Sequence, residues 1–220
     1  MTLTTKVGSG ALIASSLAGL GAAGGRQLRQ EEPSTTQQKT KIINLITNRY
    51  DYIILDDTDA SNQYWGENWN AYRTAGDNIF QLTGWKAGDS SLDLTTELKS
   101  KCATLANKSI LENDNTSYDN FAKYCTRGVT IKEKVAKLGL RIVSVTASGN
   151  DPDWSIWDKR SRGALNKELK ALKVNTNFLG NAYKIRDACR DIITTNKKED
   201  GYEDILKAYE RVCAKQKGEP

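Results

Sequence analysis

Four cysteines, Cys102, Cys125, Cys189 and Cys213, are the residues of this 220-residue chain with distinctive covalent chemistry, and it contains no histidine. Without imidazole there is no Ser-His-Asp or Cys-His nucleophile and none of the usual His-containing zinc sites. Four cysteines allow three pairings. In an antiparallel helical hairpin, residues equidistant from the turn face each other. The midpoint of Cys102 and Cys125 falls between Asn113 and Asp114, inside the polar run Glu112 to Ser117. The midpoint of Cys189 and Cys213 is Gly201, at the end of Lys197-Lys198-Glu199-Asp200-Gly201. This symmetry predicts the disulfides Cys102–Cys125 and Cys189–Cys213, and with them an oxidising compartment. The competing expectation is four reduced thiols in a core.

Other chemistry is sparse. Asp57, Asp59, Ser61, Asn62 and Asn68 approach a calcium-loop spacing but lack its glycine and its closing bidentate Glu, so they are expected to cap a helix. No glycine-rich loop follows a strand to cradle phosphate. Carboxylates are numerous, yet no pair stands out as acid and base, so a secreted carboxylate-dependent glycan hydrolase remains only as an alternative. Trp65, Trp69, Trp154 and Trp157 lie at helical spacing, which predicts core, with an aromatic sugar platform as the other possibility. No catalytic, cofactor-binding or metal-ligating residue is predicted, and no cofactor.

Thirty-two basic and 27 acidic residues leave a net charge of +5, too dispersed for nucleic-acid binding. The charge is uneven. Residues 41–128 carry 9 basic and 12 acidic side chains, and residues 129–220 carry 19 and 13. Lys159, Arg160, Arg162, Lys167, Lys170 and Lys173 crowd one predicted helix, either as a solvated face or as a patch for an anionic partner.

The elements that must position these residues fall into segments. Val7 to Gly25 is uncharged and rich in Ala, Gly and Ser, which predicts a signal peptide or signal anchor over 1–25 with membrane contact through 7–25. Residues 26–40 are polar and aperiodic and read as a disordered linker. The remainder is one pattern written twice: Trp69 and Trp157 are 88 residues apart, Cys102 and Cys189 are 87 apart, and Cys125 and Cys213 are 88 apart. The fold class expected is all-α, with two tandem similar helical units over 41–128 and 129–220, each of four helices. Thr130-Ile131-Lys132-Glu133 is a capping box, and Asp151-Pro152 is expected to open the next helix. The apolar runs Tyr52 to Leu55 and Leu140 to Val145 are candidate short strands.

The weak amino-terminal segment, the polar linker, the absent histidine and the landmarks Trp65, Trp69, Cys102, Tyr124-Cys125, Trp154, Trp157, Cys189 and Cys213 resemble the duplicated, uncharacterised proteins of haemotropic mycoplasmas, wall-less bacteria living on red blood cells. The resemblance implies an exported or membrane-associated protein and no catalytic residues. Location and the absence of catalytic motifs together predict a non-enzymatic protein on the extracellular side of the membrane, or secreted. Its expected partners are host cell-surface glycans or proteins, and a membrane-peripheral scaffold is a further alternative.

Overall fold

Ile42, Leu45 and Ile46 are buried on one side of helix α1 (Ile42–Arg49), the i, i+3, i+4 spacing of a helix that faces a core. The helix follows strand β1 (Lys39–Lys41) and stops where Tyr50 turns left-handed, at φ 50°. In this computed structural model, which describes residues 38–163, 166–175 and 181–220, the chain continues through β2 (Tyr52–Ile54), α2 (Asp59–Ala75), α3 (Thr95–Ala106), β3 (Ser109–Leu111), α4 (Asn115–Cys125) and β4 (Thr126–Gly128). Two antiparallel ladders join them: Thr40 opposes Ile110 between β1 and β3, and Ile53 opposes Arg127 between β2 and β4. The core of this half is aromatic. Tyr72 on α2 meets the ring of Tyr124 edge-on at 5.0 Å and that of Trp85 at 5.5 Å, a geometry that adds to the gain from burial alone.

After a two-residue connection comes α5 (Ile131–Lys137), opened by the Thr130–Glu133 capping box. It is followed by α6 (Trp154–Gly163), α7 (Asn166–Ala171), α8 (Ala182–Ile192) and α9 (Tyr202–Val212). These pack a second core around Trp157, Leu169, Ile185 and Tyr209, which shares no residue with the first. The α6–α8 and α7–α9 pairs form its frame.

Hydrogen bonds recur at matching places in the two halves. Leu55 N donates to Cys125 O at 3.1 Å, and Val143 N donates to Cys213 O at 2.9 Å. Ile54 pairs with Thr126, and Ile142 bridges Ala214. Trp65 Nε1 donates to Asp56 O at 2.7 Å, as Trp157 Nε1 does to Ser144 O at 2.9 Å. Asn68 Nδ2 reaches Tyr124 O at 3.2 Å, and Arg160 Nε reaches Val212 O at 3.4 Å.

The fold is helix-rich, as expected, but several local expectations need correcting. Four three-residue strands are present among the described residues, so the fold is not purely helical. Tyr52 to Ile54 is one of them, whereas Leu140 to Val145 contributes only the bridge at Ile142. Lys39 and Thr40, assigned to the linker, belong to β1. The first two helices end at Arg49 and Ala75, the second half holds five helices rather than four among the described residues, and α6 begins at Trp154 rather than at Pro152. Trp157 bonds as Trp65 does, not as Trp69, because 13 residues separate it from its carbonyl partner, against nine for Trp65. The expected signal segment 1–25 and linker residues 26–37 lie outside the described residues.

Candidate functional site

Cys102 on α3 is joined to Cys125 at the end of α4, with Cα atoms 5.4 Å apart, and Cys189 on α8 to Cys213 just past α9, with Cα atoms 5.8 Å apart. All four are buried within the core of their own half. Each bridge therefore closes one helical hairpin, and the turns lie at the polar loops that the cysteine midpoints mark. Asp114 Oδ1 caps α4 by accepting from Ser117 N at 3.0 Å. In the other turn, Glu199 Oε1 accepts from Asn196 N at 2.9 Å and Gly201 sits at φ 77°.

The six basic residues do not form one free patch. They are distributed over α6, α7 and the turn that follows. Lys159, Lys167, Lys170 and Lys173 are exposed, and Lys173 adopts a left-handed φ of 59°. Arg162 is exposed but ion-paired with Asp158. Arg160 is withdrawn from solvent: its guanidinium holds Val212 O and the Glu219 carboxylate, the latter at 2.7 Å. Lys167 also borders a cavity of about 220 Å³ between α7 and α9, with Glu168, Lys207 and Arg211. There Glu168 binds Arg211 at 2.7 Å, so the local charge is partly compensated.

The acidic run after β2 braces the turn into α2 through Asp56 rather than capping the helix: Thr58, the residue before α2, makes no side-chain cap bond. Asp56 Oδ1 accepts from Thr58 N at 3.1 Å and from Ser61 Oγ at 2.7 Å. These hydroxyl and amide donors hold its carboxyl down at about 2. Among the described residues no group of three or more His, Cys, Asp or Glu side chains could hold a metal ion, and no helix is long and apolar enough to cross a membrane. Trp65, Trp69 and Trp157 are core, whereas Trp154 is half-buried, its ring centre 4.4 Å from that of Tyr183 with the planes tilted by 45°.

The junction between the halves was not evident from the sequence. Lys134 Nζ on α5 donates to Arg49 O, Tyr50 O and Asp51 Oδ1 at 3.4, 3.1 and 2.9 Å, which caps the carboxy-terminal end of α1. Lys198, in the α8–α9 turn, donates to Lys123 O, Thr126 O and Asn68 Oδ1 at 2.8, 2.6 and 3.1 Å. A cation at a helix carboxy terminus meets the negative end of its dipole. Burial nevertheless pushes the Lys198 ammonium down to about 8. Between these lysines, Arg127 forks onto Glu133 at 2.7 and 2.9 Å. Arg127 first, and then the Thr130 amide and hydroxyl, hold the Glu133 carboxyl at about 2. In sequence Arg127, Lys134 and Lys198 look like solvated charge, whereas Glu133 is marked by its capping box. The chain matches no family model, no curated protein and no solved structure.

Proposed function

We propose that this chain is an exported, non-enzymatic contact protein: a tandem duplication of one disulfide-stapled helical unit, held at the outer face of the membrane or released from it by the segment before residue 26. The observation that carries the reading is the pair of buried disulfides, one in each half, since such bonds persist in oxidising compartments and are rare where thiols are kept reduced. The recurring hydrogen bonds, from Leu55 to Cys125 and from Val143 to Cys213 and onward, support the duplication. The resemblance to haemotropic mycoplasma proteins agrees with a surface facing host material. Host glycans or proteins are the partners this reading assigns, with the exposed lysines 159, 167, 170 and 173 free to add salt-sensitive attraction.

The test is protease treatment of intact cells, followed by non-reducing peptide mapping of the protected and released chain. Cleavage from outside, with the fragments around Cys102 and Cys125 and around Cys189 and Cys213 each disulfide-linked, is expected. Full protection, or four free thiols in rapidly quenched cells, overturns the proposal.

A further inference from the structure

Tyr183 is 50% exposed on α8, a helix whose apolar stripe is Ala182, Ile185, Cys189 and Ile192. Its ring centre lies 4.4 Å from that of Trp154 on α6. A large aromatic outside the stripe contributes little burial, so the fold gives weak reason for it. The first half provides an internal control. The matched bonds of Trp65 with Trp157 and of Asn68 with Arg160 put Asn62 where Trp154 stands. The disulfides and the buried pair Leu98 and Ile185 put Thr96 where Tyr183 stands. Asn62 and Thr96 are both exposed polar residues. The first half thus packs its helix pair without either aromatic; in the second, Trp154 lies half-buried against the core and Tyr183 stands half exposed beside it.

What borders them identifies a ligand class. The Arg186 guanidinium lies 5.1 Å from the centre of the Tyr183 ring. It donates to Ala147 O at 2.9 Å and to Asp187 Oδ1 at 2.7 Å. The site therefore offers two aromatic rings tilted by 45°, with the Arg186 guanidinium over the tyrosine, beside fixed donors and the Asp187 carboxylate, which Arg190 also meets at 3.3 Å; the charges of Arg186, Arg190, Asp187 and Asp191 are paired off. A pyranose ring presents the complementary parts, a face of C–H groups and a rim of hydroxyls that both donate and accept. A sulfated or phosphorylated ligand would find no uncompensated cation in this ion pair. We propose that Trp154, Tyr183, Arg186 and Asp187 form a binding site for a neutral hexopyranose residue of a glycan. The proposal deepens the host-contact reading and rests on the duplicated arrangement within it, but not on where the cell places the chain.

The experiment uses the purified full chain with both disulfides intact. It is titrated with methyl galactoside, methyl glucoside, N-acetyllactosamine and 3′-sialyllactose, and binding is read by saturation-transfer NMR. Saturable binding of at least one neutral saccharide with millimolar affinity, about 4 kcal/mol, is expected, with transfer concentrated on ring C–H protons. Tyr183→Thr and Trp154→Asn, which install the residues of the first half, are expected to weaken binding at least about tenfold, or about 1.4 kcal/mol, with unchanged near-UV circular dichroism. Tyr183→Phe retains binding. Should a variant lose its fold, protection of Tyr183 from nitration by the bound saccharide decides in its place, and absence of protection counts against the site. No saturable binding up to about 10 mM, undiminished binding by folded Tyr183→Thr, or binding of a proline-rich peptide with no saccharide bound overturns the proposal. Cell-surface proteolysis is indifferent to all of these outcomes, so the two proposals fail separately.

Discussion

Tyr209 shows how the two halves test each other one side chain at a time. It is fully buried on α9, its hydroxyl has no hydrogen-bond partner among the described residues, and burial pushes its pKa up to about 12. The position 88 residues earlier is Phe121, equally buried and without a hydroxyl to satisfy. A buried hydroxyl left unpaired costs about 1–3 kcal/mol, while the ring alone keeps its packing. Tyr209→Phe is therefore expected to leave stability unchanged or raise it by up to ~1 kcal/mol, measured by urea denaturation; a clear loss would mean the hydroxyl has a partner. Glu133 is the opposite case. Its carboxylate serves both the capping box and Arg127, and its pKa is lowered from about 4.5 to about 2 in the folded chain. A depressed carboxyl stabilises above its unfolded pKa, and that contribution disappears as pH falls through its folded pKa. Glu133→Gln is expected to cost ~1–2 kcal/mol at pH 7. The difference from the natural chain should shrink between pH 4.5 and pH 2, and a gap independent of pH would show that charge is not the cause.

At the scale of elements, the staple belongs to its hairpin. Cys189 and Cys213 close a 24-residue separation between α8 and α9, and both belong to the second core. Replacing both with Ala is expected to remove about 2–5 kcal/mol from that half. Amide exchange should rise across α5 to α9 while the protected amides of α3 and α4 stay protected. Equal loosening of both halves would contradict two separate cores. The hairpins were legible in the sequence because cysteine symmetry and polar turns are rare and local signals, and the Thr130–Glu133 box was legible for the same reason. The strands were not. Three residues carry too little alternation to distinguish β2 from a helix end, and Ile53 gains its place only by pairing with Arg127, 74 residues away. The tryptophans do not keep the offset of the cysteines, because the stretch ahead of Trp157 is longer than that ahead of Trp65. Matching landmarks do not show where two segments differ in length. The sugar site was half legible: Trp154 was in view, but Tyr183 had to be seen off the stripe of α8 and beside it.

The two halves of the whole molecule meet through backbone and ion pairs rather than through a shared core, and Gly128 is where that contact is tightest. β4 ends at Gly128, and the α8–α9 turn passes directly over it. A Cβ added there would stand 2.6 Å from Asn196 Oδ1, 2.8 Å from Lys197 N and 2.9 Å from Lys198 N. Two of those neighbours are backbone, which cannot swing aside as a side-chain end can. They are also held in place: Lys197 N donates to Val129 O at 3.0 Å, and the Lys198 ammonium is anchored on the far end of α4. Gly128→Ala must therefore lift the turn from β4 and lengthen the Lys198 bonds to Lys123 O and Thr126 O, while neither core loses an apolar contact. Overpacking of this kind costs about 1–3 kcal/mol. Because the strain falls on the junction, its effect should be a loss of coupling more than of core stability. The natural chain is expected to unfold in a single denaturant transition, and Gly128→Ala in two, the tryptophan-rich first half and the second half separating. Lys198→Met should move in the same direction by removing three hydrogen bonds without adding bulk. Lys198 also supplies a pH signature. Its folded pKa lies below the unfolded value, so the unfolded chain binds the extra proton between about pH 8 and pH 10.5. The stability advantage of the natural chain over Lys198→Met should therefore grow across that interval. A single shared transition in both variants, with no change in that advantage, would mean that the halves are coupled by something other than this turn.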